Sequence, residues 1–152
     1  MTKYIDVELS SLFCDFSGTG PGDDLELFGN IAGITFNDEA VEKSRSSIYA
    51  FPDGPIRIAP NQVVEIKKRA TFVLGTPSIE PPTLAGRYLK FGGELFEQDV
   101  PPDTDDRLGS SFKTVSTFDI TVPALPQTHH VRWSHGSQEI RADFVLTLIH
   151  YG

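Results

Sequence analysis

Residues 128–151, THHVRWSHGSQEIRADFVLTLIHY, decide the fold. From Ala142 to His150 every second residue is apolar or aromatic, which is typical of a strand with one face buried. Gly136 and Ser137 interrupt the pattern with residues that favour turns. The stretch therefore predicts an antiparallel hairpin of two strands, 128–135 and 138–151, joined at Gly136-Ser137.

The same alternation recurs through much of the remaining chain. It predicts strands at 5–9, 25–31, 62–74, 87–96 and 118–122. Residues 37–61 are expected to form an irregular surface excursion, with a helical turn or two between Ala40 and Arg45. The chain 1–152 is thus predicted to be one all-β domain, an antiparallel β-sandwich of about eight strands.

Composition limits the class of protein. The net charge of −8 argues against non-specific nucleic-acid binding, which needs an excess of Lys and Arg. A single cysteine, Cys14, excludes an internal disulfide, and no apolar run approaches the length that spans a membrane. Met1 is followed by polar and charged residues, so we expect a cytoplasmic protein or one exported without a recognisable signal peptide.

Two acidic loops carry the main functional signal. They are DFSGTGPGDD at 15–24 and EQDVPPDTDD at 97–106, each beside a predicted strand. Two carboxylates about 4 Å apart near a surface repel by roughly 4 kcal/mol, so a cluster of them favours a bound cation such as Ca²⁺. The alternative is that Asp and Gly stand there as ordinary turn residues and that both loops are only solvated.

Both loops resemble the Ca²⁺ loops of C2 domains, the β-sandwich modules that bind Ca²⁺ and often phospholipid. The first begins with Asp15, continues through glycines and reaches a second acidic position directly ahead of an apolar strand. The second is similar to the family's other loop, with Glu97-Gln98-Asp99 in place of Asp-x-Asp and Asp106-Arg107-Leu108-Gly109 after one inserted residue. The Pro-Tyr that follows the first-loop acids in the family is absent here.

The resemblance implies a C2-like or jelly-roll-like sandwich with Ca²⁺ as its cofactor. Its ligands would be Asp15 and one of Asp23 and Asp24 from the first loop, and Glu97, Asp99 and Asp106 from the second, with Asp105 in reserve.

Two further groups are candidates for membrane or partner contact. Phe16 and Val100 fall near the loop tips, where C2-like domains insert apolar side chains into a bilayer, although both could fold back onto the core. Lys67, Lys68 and Arg69 form a basic triplet that could dock anionic headgroups or serve only as protective edge charge.

The remaining motifs indicate no catalysis. His129, His130 and His135 share a predicted strand, but a transition-metal site would need a further ligand, and ordinary strand histidines are favoured. Nucleophile-elbow, phosphate-loop and His-Glu-x-x-His motifs are absent from the sequence. The chain is therefore expected not to be an enzyme.

The sequence predicts a Ca²⁺-dependent binding module that engages anionic phospholipid or a protein partner through its acidic loops. The alternative is a structural β-sandwich subunit of a larger particle or toxin assembly, without metal dependence. A third interpretation is a carbohydrate-binding module, which needs an exposed aromatic platform.

Overall fold

The computed structural model describes residues 2–17, 24–75, 86–98, 106–121, 126–136 and 138–151. Within these ranges the chain forms nine strands and one turn of 3₁₀ helix, Thr117–Asp119. The strands are β1 (Thr2–Ser17), β2 (Leu25–Phe36), β3 (Glu42–Tyr49), β4 (Ile56–Ile58), β5 (Val63–Gly75), β6 (Tyr88–Glu97), β7 (Asp106–Ser116), β8 (Gln127–His135) and β9 (Gln138–Tyr151).

The strands form two sheets. Sheet A is four-stranded in the order β5-β1-β9-β8, and sheet B is five-stranded in the order β3-β2-β6-β7 with β4 also paired to β2. Neighbouring strands pair antiparallel in both sheets. The predicted antiparallel β-sandwich is confirmed, and so is its terminal hairpin, in which β8 and β9 pair from Gln127↔Leu146 to His135↔Gln138.

Inward-facing side chains of both sheets fill one core. In β9 the alternation seen in the sequence buries Ile140, Ala142 and Phe144 completely. Burying one Leu, Ile or Phe side chain contributes about 1.5–3 kcal/mol, so a core of this kind accounts for most of the favourable term in folding. Trp133 also lies in the core, and its indole Nε1 donates to the Gly93 carbonyl of the opposite sheet at 2.9 Å.

Two glycines allow close approach inside the sandwich. A Cβ on Gly33 would lie 2.1 Å from Cζ of Phe72, because that ring from sheet A occupies the space above β2. A Cβ on Gly93 would lie 1.9 Å from the backbone oxygen of Asn30 in the neighbouring strand. Either substitution would force the sheets or strands apart, since interiors are close-packed.

The helical turn predicted between Ala40 and Arg45 is wrong. Asn37 Oδ1 accepts the backbone N–H groups of Glu39 and Val41 in a tight turn, and the chain then enters β3. Residues 37–61 were expected to be irregular, but β3 and β4 both pair with β2 and extend sheet B.

The strand predicted at 118–122 is also wrong where the structure describes it. Residues 117–119 form the 3₁₀ turn, and the strand lies earlier, as β7. Asp119 Oδ2 accepts both the backbone N–H and the hydroxyl of Ser116 at 3.1 Å, which ends β7 and starts the turn. Phe118 is 71% exposed, so it lacks the burial that a strand would have given it.

Candidate functional site

The stems of the two acidic loops lie at one end of the sandwich, which we call the acidic end. Glu97, the last residue of β6, pairs with Leu27 near the start of β2 and with Asp106 at the start of β7. Gln98, the first residue after β6, donates its backbone N–H to the carbonyl of Glu26 at 2.8 Å. The flanking strand residues Ser17, Leu25, Glu97 and Asp106 define this end.

A side-chain contact joins the two sheets at the acidic end. In sheet A, Ser17 pairs with Gln138 at the start of β9. The Gln138 amide Nε2 donates to Glu97 Oε2 in sheet B at 3.1 Å. Glu97 is buried, and a buried carboxylate needs such polar partners to offset its lost hydration.

Asp15 lies on the outward face of β1 in an ion pair. Its Oδ2 is 3.0 Å from Nη1 of Arg132, and the same nitrogen lies 3.2 Å from Oε1 of Glu139. One guanidinium thus contacts two carboxylates, and the group of three keeps a net charge of −1. Because the arginine side chain is half exposed, this arrangement contributes less than about 1 kcal/mol to stability.

Asp24, at the entrance to β2, is paired in the same way. Its Oδ2 is 2.6 Å from Nε of Arg57, and this hydrogen bond raises the pKa of the guanidinium further above its usual range. Burial, and then the charges of Asp15 and Asp24, raises the pKa of the Cys14 thiol to about 11. Both carboxylates therefore act on one buried group at the acidic end.

Several predicted site residues cannot be placed in this arrangement. Asp23, Asp99, Val100 and Asp105 lie outside the described residues. Phe16 and Asp106 belong to β1 and β7, but their side chains lie outside the description as well. Of the seven predicted Ca²⁺ ligands, the structure thus places three side chains at the acidic end: Asp15, Asp24 and Glu97.

The basic triplet lies away from this end. Lys67, Lys68 and Arg69 belong to β5 at the edge of sheet A, and Lys68 pairs with Leu9. Leu9 stands eight residues before Ser17, which is about 26 Å along an extended strand. The triplet therefore occupies the flank of the sandwich.

Two residues of the basic triplet have a role in the fold of β5. Lys67 adopts a positive φ of 55° where the β1–β5 register shifts, as expected at a β-bulge. Arg69 Nη1 lies 3.6 Å from Asp6 Oδ2. Burial raises the pKa of that carboxyl group, and the charge of Arg69 acts in the opposite direction.

Among the residues that the structure describes, no group of three or more His, Cys, Asp or Glu side chains is arranged to hold a metal ion. His129 and His130 each have a separate partner. His129 Nε2 lies 3.0 Å from Gln127 Oε1, and His130 Nδ1 lies 2.5 Å from Asp143 Oδ1.

Sequence reasoning missed the partners of the acidic side chains, which are Arg57, Arg132 and Gln138. The hairpin pattern contained a usable signal for one of them. Arg132 and Glu139 alternate with the buried residues Trp133 and Ile140, so both must face outward from neighbouring strands. Arg57 gave no comparable signal, because β4 is only three residues long.

No family model and no curated protein matches the chain. Among solved structures it is similar to a C2 domain protein from Ramazzottius varieornatus, with 15% identity and a TM-score of 0.48. The aligned region covers 98% of this chain and 90% of the other.

Within the described ranges, no helix is both long enough and apolar enough to cross a membrane.

Proposed function

We propose that the protein is a Ca²⁺-dependent binding module whose acidic end engages an anionic phospholipid surface or a protein partner. The observation that supports this best is that the stems of both acidic loops meet at one end, where Glu97 pairs with Leu27 and Asp106. Carboxylate oxygens are the ligands that Ca²⁺ prefers, and the two loops together carry eight acidic residues in 20.

The ion pairs at the acidic end fit a site that exchanges cations. Arg132 and Arg57 balance Asp15 and Asp24 from exposed positions. A Ca²⁺ ion bound by the loop carboxylates would take over that role, because a divalent charge at short distance outweighs a half-solvated guanidinium. The released arginines would then add positive charge to the same surface.

Such a change would turn a repelling surface into one that attracts anions. The protein carries a net charge of −8, so the ion-free acidic end repels an anionic membrane. In this proposal Phe16 and Val100 supply apolar contact at the tip. Lys67, Lys68 and Arg69 contribute only when the flank of the sandwich also approaches the membrane, because they lie along β5 at a distance from the tip.

The proposed role is binding rather than catalysis. Cys14 is fully buried, and burial together with Asp15 and Asp24 raises its thiol pKa to about 11. The thiol is therefore protonated at neutral pH and a poor nucleophile.

Co-sedimentation with liposomes tests the proposal. We expect binding to vesicles of phosphatidylserine and phosphatidylcholine in Ca²⁺, none in chelator, and none to phosphatidylcholine alone. Asp99→Asn should abolish binding, Phe16→Ser should weaken it without affecting Ca²⁺ affinity, and the exposed β5 variant Glu65→Gln should bind like the wild type. If vesicles are ignored under all conditions while the chain self-associates in sedimentation, the structural-subunit alternative is favoured.

A further inference from the structure

Strand β2 has a gap along one of its two edges. On the β6 side it is paired without interruption from Leu27 to Phe36. On the other side, β4 pairs with residues 25–27 and β3 with residues 31–36. Residues 28–30 lie between these two ladders, so their backbone polar groups on that side have no strand partner in the described ranges.

The chain between β3 and β4 bends away from this gap and leaves a cleft. The cleft has a volume of about 380 Å³ and is lined by Phe28, Gly29, Ala50, Phe51, Gly54, Pro55 and Gln98. That volume falls within the range of small-molecule sites, about 300–1,000 Å³.

The cleft wall is held in an unusual conformation. Phe51 has a φ of 53°, a region that a bulky residue rarely occupies, and Gly54 has a φ of 91°. Phe51 is nevertheless buried, and its ring contacts Tyr49 at a centroid distance of 4.7 Å. Backbone outliers that the surroundings hold in place concentrate at binding sites.

The residues that line the cleft are uncharged and provide both apolar surface and polar groups. Phe28 and Pro55 offer apolar surface, and Phe28 stacks on Phe96 with centroids 5.2 Å apart. Polar groups are available from the backbone of the lining residues Gly29 and Gly54 and from Gln98, which is exposed. A ligand that fits has one apolar face and a hydrogen-bonding edge.

A carboxylate in the turn beside the cleft favours a ligand that donates hydrogen bonds. Asp53 lies between Phe51 and Gly54, which line the cleft, and after burial its charge is the second cause that raises the pKa of the Tyr49 hydroxyl. An anionic ligand would be repelled by Asp53 and by the net charge of −8. Hydroxyl groups, in contrast, can donate to a carboxylate.

We propose that this cleft binds a neutral saccharide, with one sugar ring packed on Phe28 and its hydroxyls bonded to the gap in β2 and to Gln98. The proposal goes beyond the Ca²⁺-dependent role and does not depend on it. An extended peptide fits less well, since Ile31↔Tyr49 and Leu27↔Ile56 close the gap at both ends and leave no room for a continuing strand.

The same sheet contains a matched control. Phe36 and Tyr88 stack like Phe28 and Phe96, with centroids 5.2 Å apart and an interplanar angle of 15° against 18°. There, however, β2 is paired on both sides, because Phe36 pairs with Glu42 of β3 as well as with Tyr88. Phe36→Ser thus removes an equivalent aromatic stack without touching the cleft.

The test is a titration of the ¹⁵N-labelled protein in chelator with D-glucose, D-galactose, N-acetylglucosamine and cellobiose. At least one probe should give saturable amide shifts at Gly29, Gly54 and Gln98, with a Kd in the millimolar range. Phe28→Ser should weaken that binding by about tenfold or more, a difference of about 1.4 kcal/mol, while Phe36→Ser leaves it unchanged. Ala50→Trp, which fills the cleft from an exposed position, should abolish binding even if Phe28→Ser is poorly folded.

Three results would overturn the proposal. One is that no saccharide gives saturable shifts, and another is that the shifts map outside the cleft or are lost equally in both serine variants. The third is saturable binding of adenosine without binding of any sugar, which would assign the cleft to planar heterocycles. Because the titration is done without Ca²⁺, its outcome is separate from that of the liposome experiment.

Discussion

The two ends of the sandwich differ in how their charged side chains are buried and paired. At the end opposite the acidic loops, which we call the far end, Lys3 is buried and its Nζ donates to the carbonyls of Thr117 and Ile120 at 2.6 and 2.7 Å. At the acidic end, carboxylates pair with exposed arginines, as in Asp24 with Arg57. The buried contacts hold Lys3 as a fixed part of the fold, whereas an exposed ion pair such as that of Asp24 with Arg57 can break at little cost.

The largest effect is expected at the far end. Lys3→Met should lower the free energy of unfolding by about 3 kcal/mol, because two carbonyls lose their buried donor. Urea denaturation measures this change. Lys68→Met, which alters an exposed lysine in β5, should stay within about 0.5 kcal/mol of the wild type. An equal free energy of unfolding for both variants would show that the Lys3 contacts do not stabilise the fold.

Calcium should act on the acidic end with a somewhat smaller effect. At a hundredfold excess over its Kd, a Ca²⁺ ion that binds only the folded state would stabilise it by about 2.7 kcal/mol and would raise the melting temperature. Asp99→Asn should remove most of this rise, and Mg²⁺ should produce less of it, because Mg²⁺ requires tighter octahedral geometry. Coincident melting curves in chelator and in Ca²⁺ would favour the interpretation that the loops are only solvated.

The arginine pairs allow a sharper comparison. Without Ca²⁺, Arg57→Ala should leave the melting temperature close to that of the wild type, since the pair is exposed and screened by solvent. In Ca²⁺ titrations the same variant should bind more tightly, because a competing cation has been removed. Arg45→Ala breaks an exposed pair with Glu42 near the far end and should leave Ca²⁺ affinity unchanged. An equal gain in Ca²⁺ affinity in both variants would mean that the arginines act only through net charge.

The smallest effect is a pH dependence near the far end. Burial, followed by the charges of Lys113 and His130, lowers the pKa of His129 below 6.5, while Asp119 opposes the shift. The unfolded chain therefore binds more protons than the folded one just below pH 6.5, so stability falls as the pH is lowered through that range. His129→Gln should flatten the melting temperature between pH 7 and 6 relative to the wild type, whereas the exposed variant His135→Gln should not.

The strands that the sequence predicted share one property, which is a buried face made of apolar residues. β1, β6 and β9 follow this alternation for most of their length, and β2 follows it from Leu25 to Phe28, whereas residues 31–35 of β2 are all buried. β3 was mistaken for a helical turn because it is an edge strand whose sequence, EKSRSSIY, has apolar residues only at its end. β7 was missed for the same reason, since most of its described side chains from Arg107 to Thr114 are exposed or half-buried. Alternation of apolar residues in a sequence indicates a buried face, and polar edge strands bury few side chains.

The position of the two loop stems was not decided by the sequence. The alternation marked two acidic loops beside strands, and the pairing of Glu97 with Leu27 shows that their stems lie together. The cleft beside β2 was not predictable. The cleft depends on where β3 ends and β4 begins along the edge of β2. Pairing between segments distant in sequence cannot be deduced from local alternation.

The hydrogen bond from Trp133 to Gly93 gives the protein an internal optical probe. Trp133 is its only tryptophan, lies 1% exposed between the sheets and is tied by Nε1 to the opposite one. Its fluorescence emission should therefore move to longer wavelength only when water enters between the sheets. Unfolding by urea will be visible without any label, whereas an ion at the acidic end or a sugar beside β2 should leave the emission maximum where it is.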